Sequence, residues 1–120
     1  MDNKTLISSL RKEVAKFRDD RDWMKFHNPK DLSIALSIET SELQELFLWK
    51  EDISAAKIRE DGRQFKRVKE EVADIFIYLL GLSDVLGLDL SDAVADKLGE
   101  NAMKYPVSKS KGSNKKYDEL

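Results

Sequence analysis

Two short stretches carry acids at a spacing that could do chemistry: Glu39 and Glu42 within IETSELQEL, and Glu71 and Asp74 within EEVADIFIYLLGL. In each pair the second acid follows the first by three residues, which puts both carboxylates on adjacent positions of one helix face. At about 100° per residue, Glu39 falls inside the arc marked by Leu32, Leu36, Leu43, Leu46 and Phe47, with Glu42 at its edge and Glu45 toward solvent. Asp74 is the only charge between Val72 and Leu82. A carboxylate on a core-facing stripe is costly unless its charge is compensated, and four of them facing one another repel strongly in a low dielectric. A hard divalent cation with oxygen ligands, Mg²⁺ above all, removes that repulsion and keeps room in its shell for water and phosphate oxygens. Ordinary helix chemistry competes with this reading. Acid pairs are common on solvated faces, where Glu45, Glu51 and Glu70 belong, and a core acid can instead pair with a lysine or arginine or lie at an oligomer interface. A di-iron carboxylate bundle fits less well, because it needs Glu-x-x-His on two helices and the single histidine, His27, precedes the second helix.

Positioning such acids requires helices, and the apolar periodicity supplies them. Leu6, Ile7, Leu10, Val14 and Phe17 predict an amphipathic helix over about residues 3–20. Asn28 before Pro29 reads as a cap and first turn, opening a second helix from Pro29 to about Lys50. The polar stretch EDISAAKIREDGR has Asp61-Gly62 as its turn signal and room for one short helical piece. A third helix follows from about Gln64 to Leu86; its stripe of Phe65, Val68, Val72, Ile75, Phe76 and Leu79 becomes apolar almost all round, which marks it as central. Asp89 caps a fourth helix that Pro106 stops near Tyr105. The expectation is an all-α bundle of four main helices over residues 1–105, with 106–120 as a polar tail rich in Lys, Ser and Gly.

The whole chain bounds what such a bundle does. Its 120 residues make one domain by length, near the size where oligomerisation helps complete a core. Apolar residues are 41% and charged residues 37%, with both signs interspersed, which excludes a disordered polymer. A net charge of -2 argues against nucleic-acid or membrane binding. Without cysteine there is neither a disulfide framework nor a thiolate nucleophile, and IFIYLLGL is too short to span a bilayer. A cytoplasmic protein is expected.

The two acid pairs, taken with DWMKFHNPKDLSIALSIETSELQELFLWK, KLGENAMKYP and the terminal KGSNKKYDEL, closely resemble the MazG-like all-α nucleoside triphosphate pyrophosphohydrolases, nearest their dCTP pyrophosphatase branch. The resemblance spans about residues 14–120. It implies hydrolysis of a nucleoside triphosphate between the α and β phosphates, with dCTP or a modified dCTP as substrate, in nucleotide-pool sanitation. Glu39, Glu42, Glu71 and Asp74 then hold Mg²⁺, with Mn²⁺ as a substitute, and Glu39 or Glu42 also orients or deprotonates the attacking water. Lys97, Asn101 and Lys104, at i, i+4 and i+7 on the fourth helix, would hold the phosphate chain, although Lys104 stands where the family often has arginine. Trp23, His27, Trp49 and Tyr78 match positions lining the nucleoside pocket, and Tyr105 is shared between pocket and helix-end packing. The resemblance also implies a homotetramer, with a dimer as the smaller assembly. The alternative is a non-catalytic acidic helical module, an adaptor that recognises a basic partner helix.

Overall fold

Caps written into the sequence set most helix boundaries in the computed structural model, which describes residues 1–120 and is all-helical. Helix α1 runs Ile7–Asp19 and α2 runs Pro29–Glu45. Asn28 caps α2: its side-chain oxygen accepts the Asp31 backbone N–H at 2.9 Å, and Pro29 fills the first helical position. The linker holds α3, Ala55–Glu60, whose cap Ser54 accepts from the Lys57 N–H. Asp61 then caps α4, Gly62–Leu86, so the Asp-Gly pair opens a helix directly and leaves no separate turn. Gly87 closes α4 at φ 65°, the left-handed conformation that glycine adopts at least cost. Asp89 caps α5, Leu90–Lys104, by accepting the Asp92 N–H at 3.0 Å.

Two boundaries differ from expectation. Helix α1 starts at Ile7, because Leu6 is extended and offers no capping side chain. Helix α2 stops at Glu45, not Lys50. The next carbonyls are taken by tight i+3 bonds, Gln64 Nε2 donates to the Leu46 carbonyl at 2.8 Å, and Trp49 turns the chain at φ 63°.

The chain forms two units, Met1–Gly87 and Leu88–Leu120. In the first, α1, α2 and α3 all pack on α4. Leu32, Leu46 and Leu80 are its buried apolar core. Arg18 joins α1 to α4 by a 2.8 Å ion pair with Asp84 while also gripping Asp19. The all-round apolar character of α4 has a visible result: Val72, Phe76, Ile77 and Leu79 each remain more than a third exposed in the single chain. In the second unit the segment after Pro106, expected to be a polar tail, contains α6 (Val107–Ser110) and a 3-10 turn at Tyr117–Glu119. That turn is held by the Tyr117 ring standing edge-on to Tyr105, 6.1 Å between centroids, with the Lys104 ammonium 5.1 Å from the Tyr117 ring centre.

Candidate functional site

Because α2 and α4 pack together, the acids they carry meet. Carboxylate oxygens of Glu39, Glu42 and Glu71 all lie within 4.8 Å of one another. Burial raises the Glu39 carboxyl most, and the charges of Glu42, Asp74 and Glu71 push it further, to about 7. Glu71 shifts in the same direction, first by desolvation and then by Glu42 and Asp74. Glu71 Oε2 is buried with no hydrogen-bond partner. An orphaned buried oxygen inside a cluster of oxygen donors that repel one another is the donor set a hard divalent cation satisfies. Asp74 stands outside that tight trio but lines the adjoining cavity with Glu39.

That cavity holds about 280 Å³ between α1, α2, α4 and the α1–α2 loop. Glu39 and Asp74 line it at the acid end; Trp23, His27 and Tyr78 contribute the aromatic and polar walls. The loop is shaped locally: Asp22 takes φ 53°, and the Trp23 N–H returns to the Arg18 carbonyl at 3.1 Å. Phe17 stands edge-on to Trp23 at 5.9 Å, and Trp23 lies 6.3 Å from His27, so an aromatic row borders the cavity. Burial and the negative charges of Glu39, Asp74 and Glu42 raise the Tyr78 phenol, which therefore stays protonated and able to donate.

Of the other residues singled out by sequence, Trp49 is 91% exposed in the turn after α2 and is not part of this cavity wall. Lys97, Asn101, Lys104 and Tyr105 lie in the second unit. There Lys97 pairs with Glu100 at 2.8 Å, Asn101 accepts the Tyr105 N–H through its carbonyl, and Lys104 and Tyr105 contact Tyr117. Sequence reasoning missed Val14, Phe17, Arg18, Leu32, Ile77 and Gly81 as cavity residues. A signal existed for Arg18: it follows Val14 by four residues, on the same face as the apolar stripe of α1.

The all-helical scaffold thus gathers acids from two packed helices beside a cavity of about 280 Å³, an arrangement with the donors a divalent cation needs and space for a ligand next to it. The chain belongs to the MazG-like family, whose model matches residues 34–120. It is 38% identical over 114 residues to dCTP pyrophosphatase 1 of Mus musculus, covering 95% of this chain and 67% of that protein. For dCTP pyrophosphatase 1 of Bos taurus the identity is 40%, over 95% of this chain and 68% of the relative. A solved structure of a pyrophosphatase from Archaeoglobus fulgidus DSM 4304 superposes with a TM-score of 0.75 at 40% identity, covering 83% of this chain and 92% of that one. The protein is thus a nucleoside triphosphate pyrophosphohydrolase on the dCTP pyrophosphatase branch, and the adaptor alternative falls away. No helix is long and apolar enough to cross a membrane.

Proposed function

We propose that the protein hydrolyses deoxyribonucleoside triphosphates, pyrimidines first and dCTP or a 5-substituted dCTP foremost, between the α and β phosphates, using Mg²⁺. The observation that carries this reading is the Glu39, Glu42 and Glu71 cluster, with its orphaned Glu71 oxygen, opening onto the cavity lined by Trp23, His27 and Tyr78. Glu39, Glu42, Glu71 and Asp74 hold the cation. When bound, Mg²⁺ supplies positive charge against the triphosphate and acidifies water, with Mn²⁺ able to substitute. One of Glu39 or Glu42 orients the water and takes its proton. The water oxygen bonds to the α-phosphorus, the bond to the bridging oxygen breaks, and pyrophosphate leaves. Trp23 and Tyr78 stack or border the base, and His27 offers a hydrogen-bonding edge. The family resemblance alone assigns Lys97, Asn101 and Lys104 to the phosphate chain, and Trp49 and Tyr105 to further nucleoside contacts.

Product analysis tests both reaction and substrate. A panel of deoxy- and ribonucleoside triphosphates is incubated with Mg²⁺ or with EDTA, and the products are separated by chromatography. Monophosphate and pyrophosphate appear only with the metal, fastest from deoxypyrimidine substrates. Diphosphate and inorganic phosphate would contradict the cleavage site, whereas faster turnover of dATP or of ribonucleotides would overturn the substrate ranking alone.

The apolar surface left on α4 favours assembly into a homo-oligomer, a tetramer ahead of a dimer, and a cytoplasmic location is part of the same reading. Val72, Phe76, Ile77 and Leu79 are too many exposed apolar residues on one helix for a solitary chain of this size. Light scattering at micromolar protein should return four times the chain mass of 13.8 kDa; a monomer mass sinks the proposal.

A further inference from the structure

Among the cavity-wall residues that the hydrolytic chemistry does not use, Gly81 and Arg18 stand apart from the apolar side chains Val14, Phe17, Leu32 and Ile77. Gly81 lies inside the 25-residue helix α4, where glycine is the least favoured residue apart from proline. Neither of the usual reasons for a helical glycine holds there. Its φ is not positive, and a Cβ built on it meets no atom within 4 Å, so no neighbouring helix demands its absence. Yet Gly81 is buried, so the vacant space beside it belongs to the cavity rather than to open solvent. Seven residues separate it from Asp74, a rise of about 10 Å along the helix, comparable to the reach from an α-phosphate to the far edge of its base. Arg18 lines the same cavity, and its partner Asp84 lies one helical turn beyond Gly81 on α4. Arg18 is 8% exposed and is fixed by Asp19 through Nε and Nη2 and by Asp84 through Nη1. Those bonds engage three of the five guanidinium N–H groups, and the remaining two are what Arg18 offers a ligand.

We propose that Gly81 and Arg18 form the base-selecting end of the cavity, Gly81 setting how far a ring can enter and Arg18 donating to its acceptor edge. This rests on the triphosphate reading of the site and extends it to specificity. At 280 Å³ the cavity lies near the lower limit of ligand pockets, about 300 Å³, so one added side chain changes what fits. Cytosine presents two adjacent acceptors, O2 and N3, to a donor fork. Thymine and uracil turn the N3–H donor toward it, and purines need a longer cavity. The rigid planar fork, which lysine lacks, discriminates between these edges.

The test uses Gly81→Ala and Arg18→Lys in the full chain, with steady-state kinetics on dCTP, dTTP, dATP and dGTP, inhibition by inorganic pyrophosphate, and thermal melting. Gly81→Ala should raise the melting temperature by about 4 °C through helix propensity. It should nevertheless lower kcat/KM by about tenfold or more, most for the purines and chiefly through KM. Arg18→Lys should narrow the dCTP to dTTP ratio of kcat/KM by about tenfold. Inhibition by pyrophosphate, which occupies only the acid end, should stay unchanged in both. Gly81→Ala with the parent's base ranking and KM overturns the proposal, as does a uniform loss for all bases with weakened pyrophosphate inhibition. A parent that cleaves no nucleoside triphosphate overturns the functional reading itself and this inference with it.

Discussion

Glu39→Gln and Asp74→Asn are each expected to lower turnover of the preferred triphosphate by about 100-fold or more while leaving the metal-free protein as heat-stable as the parent or more so. Residues that merely orient metal ligands cost about 10- to 100-fold when changed, so a direct ligand should cost at least the upper end of that range. The stability half of the expectation comes from the same electrostatics. Glu39 is raised by burial and by three neighbouring carboxylates, which means that its ionised form is held against an unfavourable field when no cation is present. A neutral amide of the same shape removes one charge from the cluster and fills the same space. Glu45→Gln serves as the control, because Glu45 is exposed at the end of α2 and outside the cluster. Kinetics at saturating Mg²⁺ and melting curves in EDTA check both halves. Parent-like turnover in the Glu39 and Asp74 variants overturns their assignment as ligands, and a lowered melting temperature shows that the acids serve packing instead.

What the sequence makes legible depends on the range of the physics involved. The acid pairs stand out because the cost of a carboxylate on an apolar arc is local, read from neighbours within two helical turns of Glu39 and Asp74. The starts of α2 and α5 are legible for the same reason: Asn28 and Asp89 each cap a backbone N–H three residues ahead, whereas Asp61, which caps α4 in the same way, reads with Gly62 as a turn. The end of α2 is not legible. Leu46, Phe47, Leu48 and Trp49 carry no turn-forming residue, and the chain leaves the helix where Gln64, from the start of α4, takes the Leu46 carbonyl. The partner of Arg18 is hidden likewise: spacing from Val14 places Arg18 on the apolar face of α1, but Asp84, which holds it there, lies 66 residues away. Gly81 sits in an apolar run where it reads as one small residue among larger ones, and only the packed cavity reveals the vacant space beside it. Trp49 shows the opposite limit. Its aromatic type and its match to a family position point to a pocket, while the single chain leaves the ring in the open.

The metal-free protein is expected to lose stability as pH rises from 4.5 to about 7, and Mg²⁺ is expected to cancel that loss. The Glu39 carboxyl titrates at about 7 in the folded chain, against an ordinary value of 4.5. Between these values the folded state holds a proton that the unfolded state has released, so stability falls with rising pH across that window and levels off above it. Glu71 is raised as well and adds to the same slope. The carboxyls lowered by ion pairing, Asp19 beside Arg18 and Glu100 beside Lys97, act with the opposite sign, but their contribution is lost only as pH falls through their depressed values, below this window. A divalent cation binds the ionised cluster and displaces the proton, so its stabilisation grows as pH rises, opposing the loss. Melting temperatures measured in EDTA and in Mg²⁺ across this range should diverge toward high pH, and Glu39→Gln should flatten the EDTA curve. An EDTA curve that is level or rising in the parent, or an unchanged slope in Glu39→Gln, would place the titrating group elsewhere and remove Glu39 from the centre of the site.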